Sequence, residues 1–433
     1  MRVKRLSVLS TERLVRHNLV VGAGTVSAGV LGFVFQAVIS HRLRPEDYGG
    51  AFAVLTLLLF IGLPAGAATL VMARETSRDR AESRWDRSGA LLQAGNRSLL
   101  LIGVGIGAFI ALTSPWLGRF LNVGPEVLVA GAAGIPFVLA FPLLLGQLQG
   151  AQRFSAMSLV TTGQAALKLA GAVILGAFFG SVGVLAGVSL GSALVYLLTL
   201  AAINASVGPP AAEVEWRRVF GFFAVVLPST LALAVLFSTD VILVKHFFGV
   251  RPAGQYAAVA ALGRAIFWGA SAVAGVLFPK VIFREAKGGS GYHLVAASVF
   301  LAALGGTFAL GIFSAWSLPI LTLFAGSAYS AATTYLPWYA LGMTLFGSAA
   351  VLIAAHQSRG EAQFLFVLLP ITGIEPVAII AFHASLLQVV QVVDACMAIL
   401  FIGVAALFLS RERGRVRRSV ERVLVVEPVR ASM

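Results

Sequence analysis

Twelve stretches of about twenty apolar residues divide this 433-residue chain, and each is long enough to cross a bilayer as a helix. The first six run roughly over 18–40, 48–72, 89–113, 125–148, 157–180 and 183–205. The second six run roughly over 219–246, 254–279, 293–316, 329–355, 363–383 and 386–409. Composition agrees: 12% of residues are charged and 58% hydrophobic, whereas a soluble domain carries roughly 25% charge. The pattern predicts an all-α polytopic membrane protein with twelve transmembrane helices.

A formal charge of +14 invites a nucleic-acid reading, which the positions of the charges exclude. Lys and Arg gather at the ends of the apolar stretches. With the N-terminus in the cytoplasm, 24 of the 32 fall on inside segments and 4 on outside loops (Arg42, Arg44, Arg119, Arg251). Cytoplasmic loops carry the excess of basic residues, so both termini are expected inside. The apolar stretch after the basic N-terminus is too long for a signal-peptide core and reads as an uncleaved first span. The tail RERGRVRRSVERVLVV is expected to rest on anionic lipid, at about 1 kcal/mol per basic residue. No outside loop exceeds about fifteen residues, which disfavours a membrane polymerase or ligase needing an external site. No nucleotide loop, nucleophile elbow or glycosidase-like carboxylate pair occurs. One cysteine (Cys396) and six histidines scattered at span ends supply no metal spacing. The expectation is a transporter with no enzyme activity, cofactor or metal.

An internal repeat organises the twelve segments. Gln36–Leu58, QAVISHRLRPEDYGGAFAVLTLL, is echoed by Phe237–Leu262, FSTDVILVKHFFGVRPAGQYAAVAAL. In both, an apolar run ends at a His (His41, His246), passes an Arg-Pro pair, and reaches Gly-x-aromatic (Gly50-Ala51-Phe52, Gly254-Gln255-Tyr256). An offset near half the chain length points to two homologous six-helix lobes. The predicted layout is a basic N-terminus (1–17), an N-lobe (18–205), a cytoplasmic linker (206–218), a C-lobe (219–410) and a basic tail (411–433).

Charged residues inside the spans carry the functional argument, because each costs about 2.5–3.5 kcal/mol at mid-membrane. Lys245 ends its span and is expected to snorkel to the surface. Lys168 sits about eleven residues into the fifth span, roughly 17 Å deep and beyond easy snorkelling. Thr161, Gln164 and Lys168 share one helix face at i, i+3 and i+7. Gln93, Asn96 and Arg97 form a similar stripe on the third span. Two polar faces in one lobe point to a wet cavity lined by Lys168, Gln164, Gln93 and Arg97, with Arg97 near enough to the inner surface to reach headgroups. In the second half, Asp240 and Arg264 lie on consecutive spans and are expected to pair. Glu375 and Asp394 are alternative partners or a proton-carrying site.

Four pieces give the chain a family likeness: LRPEDYGGAFAVLTLL (43–58), STDVILVKHFFGVRPAGQYAAVAAL (238–262), VLFPKVIFREAKG (276–288) and FAGSAYSAATTYLPWYAL (324–341). They resemble the oligosaccharide flippase (O-antigen exporter) family of the multidrug/oligosaccharidyl-lipid/polysaccharide flippase superfamily, in the right order and across both halves. The resemblance implies two lobes in a V around a central cavity, in the bacterial plasma membrane. It also implies an undecaprenyl-diphosphate-linked oligosaccharide carried from the inner to the outer leaflet, beside polymerase and glycosyltransferase machinery. Arg264 stands on the eighth span, where the lipid II flippase also carries a cavity Arg. Drive by protons, sodium or membrane potential is left open, and the working unit is expected to be a monomer. A multidrug antiporter of the same superfamily is the alternative, though it would want acidic cavity residues where the first lobe offers cations.

Overall fold

The computed structural model describes residues 24, 26–81, 85–204, 216–286, 291–359 and 361–430, and the described part is built of helices joined by short connections. In chain order they are α1 (Val26–Arg42), α2 (Pro45–Gly62), α3 (Gly66–Ala81), α4 (Trp85–Leu121), α5 (Pro125–Ala132), α6 (Ile135–Gly150), α7 (Phe154–Asn204), α8 (Trp216–Phe247), α9 (Val250–Ala286), α10 (Tyr292–Ala315), α11 (Ser317–Ala325), α12 (Leu336–Ser358), α13 (Leu365–Ala381) and α14 (Leu386–Arg430). Nine stretches among the described residues are long and apolar enough to cross a membrane. One of them, Phe154–Ile203, crosses twice, because Gly180 at φ +56° folds α7 back on itself. A residue with a Cβ is strained at that φ. Adding this second crossing and the shorter apolar helices α1 and α13 gives twelve. The predicted linker centre and N-terminal segment lie outside the described residues.

Proline explains where spans depart from single helices. The second span passes a 3-10 turn at Leu63–Ala65 around Pro64. The fourth is broken between α5 and α6, two residues before Pro136, whose ring nitrogen has no hydrogen to donate. Ser189 Oγ donates to the Ala130 carbonyl (2.7 Å) beside this break. The tenth span was expected from 329, but its helix starts at Leu336. Residues Ser327–Thr334 form a 3-10 segment instead, because Pro337 fits only the first turn of an α-helix.

Two compact units result: Met1–Ala258 with Thr322–Ser330, and Val259–Leu321 with Ala331–Met433. Met72, Leu91, Phe141, Leu144 and Tyr196 form a core in the first. There α3 and α6 are tied by Thr76 Oγ1 donating to Gln147 Oε1 (2.6 Å) and Thr69 Oγ1 donating to the Pro142 carbonyl (2.8 Å). In the second, α12 packs on both α10 and α14, with Phe267 of α9 stacked on Phe346 of α12 at 4.6 Å.

The α7 hairpin depends on small residues. A Cβ on Gly191 would stand 2.7 Å from the Leu167 carbonyl oxygen and 2.9 Å from the Lys168 nitrogen, and one on Gly187 would run into the Gly171 carbonyl. Backbones approach this closely only across glycine, the ordinary means of helix contact in membranes. Gly187→Val is expected to destabilise the protein by about 1–3 kcal/mol through overpacking. The check is its thermal midpoint in detergent, and an unchanged midpoint would show that the hairpin accommodates a side chain there.

Candidate functional site

Lys168 lies near the middle of the first limb of α7, about 21 Å from Phe154 at 1.5 Å per residue. Gly191 abuts the backbone at Leu167–Lys168 and so fixes the rotation and height of this turn. At 100° per residue, Thr161, Gln164 and Lys168 fall on the side opposite an exposed apolar stripe. That stripe contains Leu159 (74% exposed), Ala166, Ala170 and Ile174 (58%). All three polar residues are half-buried. Thr161 turns its hydroxyl back onto the Met157 carbonyl (3.0 Å), whereas Lys168 makes no hydrogen bond or ion pair among the described residues. Lys168 therefore stands on the less exposed side of this limb, close to glycine-packed backbone.

The stripe on α4 divides. Asn96 turns into the unit and pairs reciprocally with Tyr196, its amide donating to the phenol oxygen (2.8 Å) and its carbonyl accepting from it (3.0 Å). Tyr196 is buried and packs on Phe137 at 5.5 Å. Gln93 and Arg97 are exposed instead. Arg97 heads a face that continues in Leu101 (62%) and Val104 (55%), so it stands where a helix surface passes from polar to apolar. Tyr196 was not foreseen; its one sequence signal was a single phenol in the sixth span.

The carboxylates are buried. Asp240, in the first unit, accepts a hydrogen bond from the Tyr256 phenol at 3.0 Å. That gives the second copy of the Gly-x-aromatic element a defined task. In the first copy the aromatic is Phe52, which has no hydroxyl, and it is the preceding Tyr48 phenol that donates, to Gln36 Oε1 at 3.3 Å. Arg264, Glu375 and Asp394 belong to the second unit and are also buried. Asp394 of α14 lies against the backbone of Gly342 on α12, where any side chain would collide with its carboxylate. Among the described residues, no three His, Cys, Asp or Glu side chains come together to hold a metal ion.

Lys245 corrects its expectation. It does not snorkel: it is 1% exposed. Its turn of α8 is tied to the α4–α5 connection, with Asn122 Nδ2 donating to the Lys245 main-chain carbonyl at 3.2 Å. Nearby, Tyr329 sits edge-on to Tyr48 (5.8 Å, 88°). Burial, reinforced by the charges of Glu46 and Asp47, pushes the Tyr329 phenol above its usual range, so it stays neutral.

The described helices thus amount to twelve crossings, with a glycine-packed hairpin in α7 and charges held inside the spans. No family model matches the chain, and no curated protein does either. Solved structures do. An inward-facing multidrug resistance MATE family transporter of the MOP superfamily superposes with a TM-score of 0.72 at 14% identity, over 90% of this chain and 95% of that one. The lipid II flippase MurJ, in an inward closed conformation, gives 0.71 at 14% identity, over 91% and 87%. The MATE multidrug transporter DinF-BH gives 0.66 at 17% identity, over 91% and 95%. The chain therefore has the fold shared by these MOP-superfamily transporters.

Proposed function

We propose that this protein is a flippase that moves a lipid-diphosphate-linked oligosaccharide from the inner to the outer leaflet of a bacterial plasma membrane, with both termini in the cytoplasm. One observation carries the reading: Lys168 is a mid-span cation, half-buried on an inward polar face, with no partner among the described residues. A diphosphate headgroup is anionic and strongly hydrated. A cationic, wet face lowers the cost of moving it through the bilayer, while its lipid tail stays in hydrocarbon. Likeness in fold to a lipid II flippase supports the same class of cargo. Cargo moves by alternating access between the two lobes, and the undecaprenyl-diphosphate carrier and the surrounding polysaccharide enzymes remain part of the proposal.

The buried carboxylates Glu375 and Asp394 favour a second reading, a multidrug antiporter, since organic cations and coupling ions need anionic partners. One experiment separates the two. The full chain is expressed in a strain lacking its own polysaccharide exporter, and both surface polysaccharide and resistance to cationic dyes are measured. Restored display without added resistance is the expected result. Added resistance without display would overturn the flippase reading.

A further inference from the structure

Lys245 has no task in the transport reading, yet among the described residues of the first unit it is the best-buried cation. Its Nζ is buried and has no hydrogen-bond partner. Asp47, on the first turn of α2, acts on its charge from a distance without forming an ion pair. A buried ammonium with no partner gains nothing in return for its lost hydration. Free energy therefore favours any state in which it meets water or an anion.

The last turn of α8, which carries it, is tied down by few contacts. The α4–α5 connection reaches over the last turn of α8, and Asn122 Nδ2 donates to the carbonyls of Lys245 (3.2 Å) and His246 (3.5 Å). His246 Nδ1 donates to the Phe120 carbonyl (2.7 Å), and its ring stacks on that of Phe120 at 3.9 Å between centroids. Beyond them the two copies of the repeat cross glycine to glycine, where a Cβ on Gly49 would stand 2.8 Å from the Gly254 Cα. Asn122 and Gly249 are exposed, so water already reaches the rim of this clasp. A few hydrogen bonds and one ring stack join segments from the two halves of the chain. Such a contact opens far more readily than a packed core.

We propose that Lys245 is a second anion contact, closed off while the Asn122–His246 clasp is made and uncovered when it opens, where it takes the diphosphate group passed on from the Lys168 face. This rests on the flippase reading for the identity of the anion, but the sealing and the amine do not depend on it. Lys168 stands mid-span and Lys245 at a span end, so the two cations serve successive depths of one crossing. The clasp keeps the second from competing with the first until the path at that end is open.

The test uses the full-length protein in detergent, with Cys396→Ala as background and two probes, inorganic pyrophosphate and undecaprenyl diphosphate. Asn122→Ala combined with His246→Ala opens the clasp. In that form Lys245→Cys should react with a water-soluble thiol reagent at least tenfold faster than with the clasp intact. Equal rates would overturn the sealing. The opened form with Lys245 present should bind undecaprenyl diphosphate at least tenfold more tightly than the intact form. Lys245→Met and Lys245→Gln should each remove that gain, while Lys245→Arg retains it. A gain that survives both neutral variants, or that appears for pyrophosphate alone, overturns the proposal. Monodisperse elution of two independent neutral variants guards against a folding artefact. If the opened form binds through Lys245 while cells show dye resistance and no display, the flippase reading fails and the site stands. If display is restored but Lys245 has no effect on binding, only this inference fails.

Discussion

Cells that depend on this protein for polysaccharide export are expected to lose surface display when Lys168 becomes alanine, by at least 100-fold and with protein abundance unchanged. The size follows from electrostatics. A cation about 4 Å from a phosphate oxygen contributes roughly 4 kcal/mol at an effective dielectric constant near 20, and each 1.4 kcal/mol is about tenfold in an equilibrium. Abundance should hold because the side chain has no partner among the described residues to strand. Removing an uncompensated cation from a half-buried face leaves the fold no worse off. Lys168→Arg keeps the charge and is expected to keep most of the display. Quantifying surface polysaccharide beside immunoblotted protein separates these outcomes, and full display from Lys168→Ala would reduce Lys168 to a structural residue.

Bilayer thickness is why the fold was so legible. A span must be long and apolar wherever it lies, so twelve runs in the sequence return as twelve crossings even though Gly180 fuses two of them into one helix. The repeat was legible too, because close backbone approach leaves a mark that few residues can make. Gly254 of the second copy meets α2 at Gly49, the residue beside the first copy's Gly50. Which of the paired glycines touches was not readable, as that depends on register.

Polar contacts were harder, because their partners are remote in sequence. Asn96 meets Tyr196 a hundred residues on, and Asp240 meets Tyr256 across a helix junction. Lys245 shows the limit most clearly. Snorkelling assumes a free path to water, and nothing near Lys245 in sequence announces that it is buried or that Asn122 bonds to its turn of the helix. Position along one helix predicts depth. Accessibility needs the neighbouring helix as well.

Basic residues read as topology markers conceal a second, buried role at the end of α12, and breaking it is expected to cost about 3–5 kcal/mol of stability. Arg359, just past α12, pairs with Glu412 of α14 at 2.7 Å, and both side chains are nearly inaccessible (2% and 9%). The guanidinium also lies 5.2 Å above the Phe408 ring. Beside it, His356 Nδ1 donates to Glu361 Oε2 (2.7 Å), and the other carboxylate oxygen takes Arg411 at 3.0 Å. The pairs tie the α12–α13 connection to α14 where its apolar stretch ends. Glu412→Ala removes the carboxylate paired with a buried guanidinium, so the large loss belongs to that variant. Arg359→Met with Glu412→Leu removes both charges and should recover most of the stability, since an apolar pair of similar volume avoids the desolvation cost. Glu361→Gln should cost less, because Arg411 is 31% exposed and its pair is partly screened. Burial pushes the Glu361 carboxyl up, but hydrogen bonds and charge from His356 and Arg411 outweigh it and hold it below the ordinary carboxylate range. For a carboxylate depressed on folding, the stabilisation is full above its unfolded value and is lost as pH falls through the folded one. Thermal midpoints of the second unit's variants in the full-length protein, taken from neutral to acid pH, should therefore converge between native and Glu361→Gln at low pH while Glu412→Ala stays well below both at neutral pH. A Glu412→Ala midpoint equal to the native one would mean that the Arg359 charge finds water, and that its ion pair holds nothing together.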